Sequence, residues 1–396
     1  MMARHIGIWL FCTALLIGHG RGFSSSSMLD IAKTATASQK LEDILDRQGA
    51  IRFCEVGKTT YGRGLVATRD LKPGDLALRI PLSCALIEPD YCDDDDKDDE
   101  DGWAGRLAKL LVQQDQSETH AAYTQALPPP PATPARGDWP EAILQEFDSA
   151  SFRRDIDKAY AWRYRQWERY SGSFADRQSF LDALDLVCSR TIRCGENMHL
   201  VPLLDMANHA SEQEGGGFYK KMKSVGDEED CICLYVGYRG VREGQEVTLD
   251  YGTRSNEDWL IHYGFQPDRN MAETVQLHST HKMKAASWDD VRTSDIDLQQ
   301  LCARQLQSYS TTLQEDVDRI RQCGSTIGED VDSDVDYRLI MAMNYRVSQK
   351  RLLAAIAAKG GRENMSLARK SRMFTSAFVD PAFASDKDTG TNYINT

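Results

Sequence analysis

The sequence is poor in the features that mark metal-binding, nucleic-acid-binding and membrane-spanning chains. Its ten cysteines, Cys12, Cys54, Cys84, Cys92, Cys188, Cys194, Cys231, Cys233, Cys302 and Cys323, include no CxxC pair and are not grouped with nearby histidines. That spacing argues against a disulfide framework or a zinc cluster and leaves free thiols as the expectation. Positive charge is also scarce, with 47 Lys and Arg against 60 Asp and Glu, a net charge of -13 and a pI near 5.2. The run DDDDKDDED from Asp93 to Asp101 carries -7 of that total. Nothing in such a balance neutralises a phosphate backbone, which argues against sequence-independent nucleic-acid binding. The apolar run Ile6 to Ile17 is too short to span a bilayer comfortably, so no stable membrane anchor is expected. What is present is ordinary: 41% hydrophobic and 27% charged residues, with 28 Gly and 12 Pro, the composition of one large or two ordinary globular domains.

The first 22 residues read as a signal peptide, with Arg4 and His5 as a short polar n-region ahead of the apolar run IGIWLFCTALLI. Residues 23–40, FSSSSMLDIAKTATASQK, are rich in Ser, Thr and Ala and hold a single acid, Asp30, in the manner of a transit peptide. A hydrophobic signal followed by Phe and an acid-poor, Ser-rich stretch resembles the bipartite presequence of algae with secondary plastids. Plastid import is the expectation, with the secretory pathway or an extracellular location as the alternative.

Globular patterning begins near Leu41. Leu76, Leu78 and Ile80 alternate with Ala77 and Arg79 behind the turn signal Lys72-Pro73-Gly74-Asp75, which predicts a half-buried strand. CICLYVGY (Cys231 to Tyr238) predicts a second strand. A third is EVTLDYG, where Val247, Leu249 and Tyr251 alternate with polar residues. Between the first strand and the others lie the acidic run, LPPPPATP, and a helical stretch with Ile156, Tyr160, Trp167 and Tyr170 at helical spacing. These four are expected in the core. After about Asn270 the strand signals fade, while Ile340, Met343, Val347 and Ala354 follow a helical period, so the C-terminal third reads as a separate helical domain. Its end, from about Ser385, is polar and expected to fray.

Four segments carry a resemblance: YGRGLVATRDLKPGDLALRIP (Tyr61 to Pro81), SRTI (Ser189 to Ile192), LVPLLDMANHA (Leu200 to Ala210) and EVTLDYGTRSNEDWLIHYGF (Glu246 to Phe265). Taken singly, each has a bland explanation: a glycine turn, a satisfied polar pair, a core tyrosine. In this order they resemble the SET-domain protein methyltransferases, in the group of the Rubisco large-subunit lysine methyltransferase and the actin-histidine methyltransferase. MNYRVSQKRLL (Met343 to Leu353) resembles a helix of that group's C-terminal substrate-binding domain. The implied fold class is α+β: a β-rich SET domain over 41–270 with a helical insertion at about 101–187, followed by an all-helical substrate-binding domain over 271–396.

The resemblance implies S-adenosylmethionine as the methyl donor and a nitrogen of a protein as the acceptor. Such a transfer needs positioning, desolvation and exclusion of water, with no metal and no covalent intermediate. By carry-over, Tyr61, Gly62 and Arg63 lie at the donor's amino-acid end, Asn208 and His209 bond it, Arg190 and Asp205 lie nearby, and Tyr263 borders it. Tyr251 matches the catalytic tyrosine, which faces the methyl group and the incoming nitrogen, and Arg254 matches a position near the target peptide. Arg254 reads equally well as a surface arginine capping a helix that starts near Asn256. Relatives commonly carry Glu where Tyr61 stands, so a carboxylate contact to the donor's ammonium is missing at that position. Cys231 and Cys233 lack the companion ligands of the zinc-binding tail in histone-type SET enzymes. The expected activity is methylation of a lysine in a non-histone protein by a monomer, with the Rubisco large subunit or a plastid aldolase as inherited targets. The alternatives are a protein-histidine methyltransferase, suggested by YGTRSN, and a catalytically silent SET fold that binds proteins.

Overall fold

The computed structural model describes residues 25–60, 62–88, 102–112, 117–223, 229–268, 270–277, 284–293, 295–327 and 337–359. The first 22 residues, read above as a signal peptide, lie outside them, as do Tyr61, the acidic run 93–101 and the chain end beyond 359. Two compact units are present: residues 1–140, 152–265 and 324–337 form one, and residues 141–151, 266–323 and 338–396 the other.

The first unit opens with helix α1 (Ser25–Arg47). Leu41, Ile44 and Leu45, at offsets of three and four, fall on one stripe and are fully buried. The helix stops where Gly49, at φ +90°, takes a left-handed conformation that costs other residues energy. Its last turns are tied to the sheet by Glu42, whose Oε1 accepts from Val56 N–H at 2.7 Å. Ser38, on the preceding turns, is already buried.

Strands β1 (Ile51–Arg52), β2 (Cys54–Thr59), β3 (Gly62–Ala67) and β4 (Leu76–Pro81) follow. β2 and β3 pair as a tight hairpin, Thr59 opposite Gly62. The expected strand at β4 is present behind its turn, where Lys72 N–H donates to Asp75 Oδ2 at 2.8 Å and Gly74 adopts φ +79°. Burial differs from the half-buried expectation: Ala77 is as fully buried as Leu78 and Ile80. The chain crossing from β1 to β2 covers that position, and Phe53 N–H donates to Ala77 O at 2.8 Å.

After β5 (Leu86–Ile87) the helical insertion supplies α2 (Trp103–Val112), α3 (Glu118–Ala126), α4 (Ala150–Tyr170) and α5 (Arg177–Arg190). Gly105 of α2 is required by close approach, since a Cβ there would sit 2.3 Å from the Tyr170 ring. Ile156 is buried, and Trp167 and Tyr170 pack against the core from partly buried positions. Tyr160 departs from the expected core stripe and is 38% exposed. Its ring lies against Gly137, and its hydroxyl accepts from Arg177 Nη2 at 3.2 Å, so the helix turns that edge towards solvent. The insertion is closed by the buried carboxylate of Asp185, which holds Arg136 at 2.5 Å and Arg163 at 3.0 Å.

Strands β6 (Ile192–Cys194), β7 (Asn197–Leu200), β8 (Phe218–Met222), β9 (Cys231–Tyr235) and β10 (Glu246–Val247) and helix α6 (Asn256–Tyr263) complete this unit. Three small antiparallel sheets result, with orders β1-β4-β9-β8, β10-β3-β2 and β5-β7-β6. Ile232 and Leu234 of β9 join Leu65, Leu78, Ile80 and the insertion's Leu107 and Phe180 in one core.

The second unit contains β11 (Thr274–Leu277), β12 (Lys284–Ser287), α7 (Ile296–Ser308), all but the last turn of α8 (Leu313–Ile327) and all but the first residue of α9 (Tyr337–Ala358). Its helical character matches the pattern read in the sequence, with Ile340, Met343 and Val347 buried and Ala354 packed at the margin. The β11–β12 ladder is an addition to the all-helical expectation, and Val275 and Leu277 of its first strand pack on Leu298, Cys302 and Leu306 of α7. Four residues with Val275 and Leu277 two apart are too short a run for periodicity to reveal. Arg346 and Lys350, one turn apart on α9, both bind the buried Asp316 at 2.6 Å.

Candidate functional site

Gly64 of β3 has no room for a side chain, because a Cβ would lie 2.6 Å from Asn208 Nδ2 and 2.8 Å from Glu246 Oε1. Asn208 fills that space. Its Nδ2 donates to Glu246 Oε1 at 2.7 Å and to Arg63 O at 3.2 Å, tying three distant segments together. No described residue donates to its Oδ1.

EVTLDYG, expected as one strand, keeps a regular ladder only at β10. Beyond it the chain remains extended but runs between two other segments, and Leu249 forms parallel bridges to both His209 and Gly217. Leu249 N–H donates to Asn208 O at 2.9 Å, and Asp250 N–H donates to Gly217 O at 2.9 Å. The alternation survives, with Val247 and Leu249 buried and Thr248 and Asp250 partly so. The crossing brings Tyr251 beside the Ala207–His209 segment. Its hydroxyl donates to Ala207 O at 2.6 Å, and its N–H donates to His209 Nδ1 at 3.3 Å. Burial raises the phenol pKa above its ordinary value and lowers that of the His209 imidazole, so both groups are neutral in the folded chain near pH 7.

Helix α6 supplies the aromatic wall. Ser255 caps it in a reciprocal box with Asp258, and Gly264 at φ +70° ends it. Tyr263 stacks on Tyr251 with centroids 5.4 Å apart, and Trp259 lies 4.6 Å from His209. Arg254 is not the cap of this helix. Its guanidinium carbon sits 5.5 Å from the centre of the Tyr263 ring.

A polar group adjoins this wall. Arg190, at the end of α5, donates through Nη1 to Asp205 O at 2.8 Å and to Asp205 Oδ2 at 3.3 Å. Tyr123 of α3 donates its hydroxyl proton to the same Oδ2 at 2.7 Å. Arg63 reaches the cluster from β3, with Nη1 3.4 Å from Ser38 Oγ of α1. Burial pushes the Asp205 carboxyl upward, and Arg190, Tyr123 and Arg63 oppose that rise. Burial likewise lowers the Arg63 pKa, and Arg190 adds to the effect. Within this group three buried polar atoms have no partner among the described residues: Arg63 Nη2, Arg190 Nε and Asp205 Oδ1. Two cationic N–H donors and one carboxylate oxygen left unmade in one place are costly unless a ligand completes them. The chemistry they fit is a small zwitterion with a carboxylate and an ammonium. The turn that presents Asp205 starts at Leu203, whose φ of +63° is strained for a branched side chain.

Of the residues singled out from sequence, Arg63, Arg190 and Asp205 gather in the polar group, Gly62 and Asn208 at the β3 crossing, and His209, Tyr251, Arg254 and Tyr263 at the aromatic wall. Tyr61 lies outside the described residues. Sequence reasoning missed Tyr123, Glu246 and Trp259. The latter two stand inside quoted motifs, whereas Tyr123 carries no local signal at all.

Two sequence families match the chain: the SET domain over residues 62–252 and the Rubisco LSMT substrate-binding domain over residues 297–353. The chain therefore carries a SET domain. Curated relatives include the actin-histidine N-methyltransferases of Canis lupus familiaris, 25% identical over 245 residues, and of Homo sapiens, 26% identical over 243 residues. Each match spans 54% of this chain and 40% of the relative, less than half of its length. Among solved structures, the SET domain of LSMT bound to lysine and AdoHcy aligns with a TM-score of 0.62 at 16% identity, covering 85% of this chain and 95% of that one. Rubisco LSMT bound to AdoMet aligns with a TM-score of 0.57 at 17% identity over the same shares. At that identity the likeness is one of fold.

Proposed function

We propose that this SET-domain chain is an S-adenosylmethionine-dependent protein methyltransferase that modifies a lysine of a non-histone protein. The observation that carries the reading is the polar group beside Tyr251, whose three unpartnered atoms complement the amino-acid end of the donor. Arg63 and Arg190 would hold its carboxylate, and Asp205 Oδ1 its ammonium. Structural neighbours solved with AdoMet and AdoHcy support the same choice of ligand. When bound, S-adenosylmethionine supplies a methyl group on a sulfonium centre.

The chain's own groups then have defined tasks. Tyr251 keeps its proton because it is buried, so it offers an oriented neutral hydroxyl and no competing nucleophile. Ala207 O fixes that hydroxyl, and His209 fixes the backbone behind it. Tyr263 and Trp259 exclude water from one side, and an amine drawn into such surroundings loses its proton more readily. The second unit, which includes the Rubisco LSMT substrate-binding match, is assigned to docking the protein substrate.

A histidine acceptor is the second reading, favoured by the actin-histidine N-methyltransferases among the relatives. The plastid is the proposed location and the Rubisco large subunit or an aldolase the proposed target, both resting on the presequence-like first 40 residues and the resemblance. Incubating the purified chain with isotopically labelled S-adenosylmethionine and a lysate of the source organism, then mapping the labelled residue by mass spectrometry, separates these readings. A methylated lysine supports the first and a methylated histidine the second. Absence of protein-bound label would contradict both.

A further inference from the structure

We propose that Tyr123 is a positioning residue for donor binding: from the helical insertion, its hydroxyl fixes the Asp205 carboxylate, and with it the Arg190 guanidinium, in the orientation that receives the donor's amino-acid end. The inference rests on the function proposed above and adds a residue from outside every motif that suggested it.

Tyr123 is fully buried on α3, and its hydroxyl lies 2.7 Å from Asp205 Oδ2. The same oxygen receives Arg190 Nη1 at 3.3 Å, and that nitrogen also binds Asp205 O at 2.8 Å. Oδ2 therefore has two donors and Oδ1 none among the described residues. The carboxylate is held by one edge with its other oxygen kept available. Without the phenol, the only remaining side-chain bond to Oδ2 among the described residues is the longer one from Arg190, and the carboxyl plane is free to turn. A tyrosine merely satisfied in the core would account for the bond to Oδ2. It would not account for a buried carboxylate that leaves one oxygen unpaired beside two unpaired guanidinium N–H groups, since each such atom is destabilising until a ligand meets it.

The charged and titratable groups facing Asp205 are Arg190 from α5, Arg63 from β3, Tyr123 from α3 and Tyr251 from the segment after β10. Burial drives the carboxyl towards its neutral form, and the first three oppose that drive. Removing the Tyr123 hydroxyl removes one opposing contact, so Asp205 takes up its proton at a higher pH. A protonated Asp205 is a poorer partner for an ammonium, and donor affinity then falls earlier on acidification.

The test is isothermal titration of the full chain with S-adenosylmethionine between about pH 5 and 8, using the unmodified protein, Tyr123→Phe, Asp205→Asn and the double variant. Tyr123→Phe is expected to weaken donor binding about tenfold at neutral pH. Its loss of affinity on acidification should begin at higher pH, and its melting temperature should fall by less than about 4 °C. In the Asp205→Asn background the same change should alter affinity less than about twofold. Unchanged affinity and pH profile in Tyr123→Phe would overturn the proposal, as would an equal tenfold loss in the Asp205→Asn background. Failure of Tyr123→Phe to fold, read by circular dichroism, would also count against it by making the bond a requirement of the fold. An unmodified chain that binds no donor would remove the proposed function and this inference together, whereas normal binding by both proteins would remove this inference alone.

Discussion

Asn208 illustrates how one side chain can serve both fold and site. Its Nδ2 is spent on Glu246 and Arg63 O, which leaves Oδ1 as the atom available to a ligand. Asn208→Ala is therefore expected to lower stability by about 1–3 kcal/mol and to weaken S-adenosylmethionine binding in the same variant. Urea unfolding and calorimetry measure the two effects separately. Loss of affinity with unchanged stability would show that the tie to β3 and β10 carries no weight. The role of Gly64 was open in the sequence, where GRGL reads as any glycine turn. It becomes definite only when Asn208, 144 positions later, is seen to occupy the missing side chain's space. Tyr123 was not legible for a related reason. Its partner Asp205 is 82 residues away, and no periodicity or motif links the two.

Helix α6 was partly legible as an element, since IHYGF and the start near Asn256 both stand in the sequence, but its cap was not. Ser255 does that work, which frees Arg254 to lie over Tyr263. The helix also makes the fold sensitive to acid. Burial, reinforced by Arg163, lowers the pKa of His262 from 6.5 to about 4. The unfolded chain binds this proton below about pH 6.5 and the folded chain only below about 4, so stability is full above 6.5 and declines as pH falls between those values. Denaturant midpoints measured at pH 7 and 5 should show the decline, and His262→Gln should reduce it. An identical pH slope in that variant would contradict the assignment. At the other end of the chain, composition marks residues 23–40 as transit-like, yet α1 runs through this stretch and buries Ser38 beside Arg63. If the presequence is removed, the cut is expected before Ala35. N-terminal sequencing of the protein purified from its source tests this, and a mature terminus at Leu41 would contradict it.

For the whole molecule, alternation and helical spacing conveyed the order of parts: a β-rich region interrupted by helices, then a helical unit. The crossing at Leu249 and the β11–β12 ladder were hidden, because a strand's pattern records which face is buried and not which segments lie on either side. The ionic core of the second unit was hidden as well, since Asp316 meets Arg346 and Lys350 only after folding. Asp316→Asn would leave the buried Lys350 without its ion-pair partner and Arg346 with Glu146 alone, and is expected to destabilise the protein by about 3–5 kcal/mol, read by urea unfolding. A change below about 1 kcal/mol would show the cluster to be dispensable. The central claim, methyl transfer at Tyr251, is tested most directly by single-turnover transfer of labelled methyl to the substrate protein once the lysate experiment has identified it. Tyr251→Phe keeps the ring and loses the hydroxyl bonded to Ala207 O, so donor affinity should hold while the rate falls on the order of 100-fold. A variant that transfers the label at the unmodified rate would contradict the account.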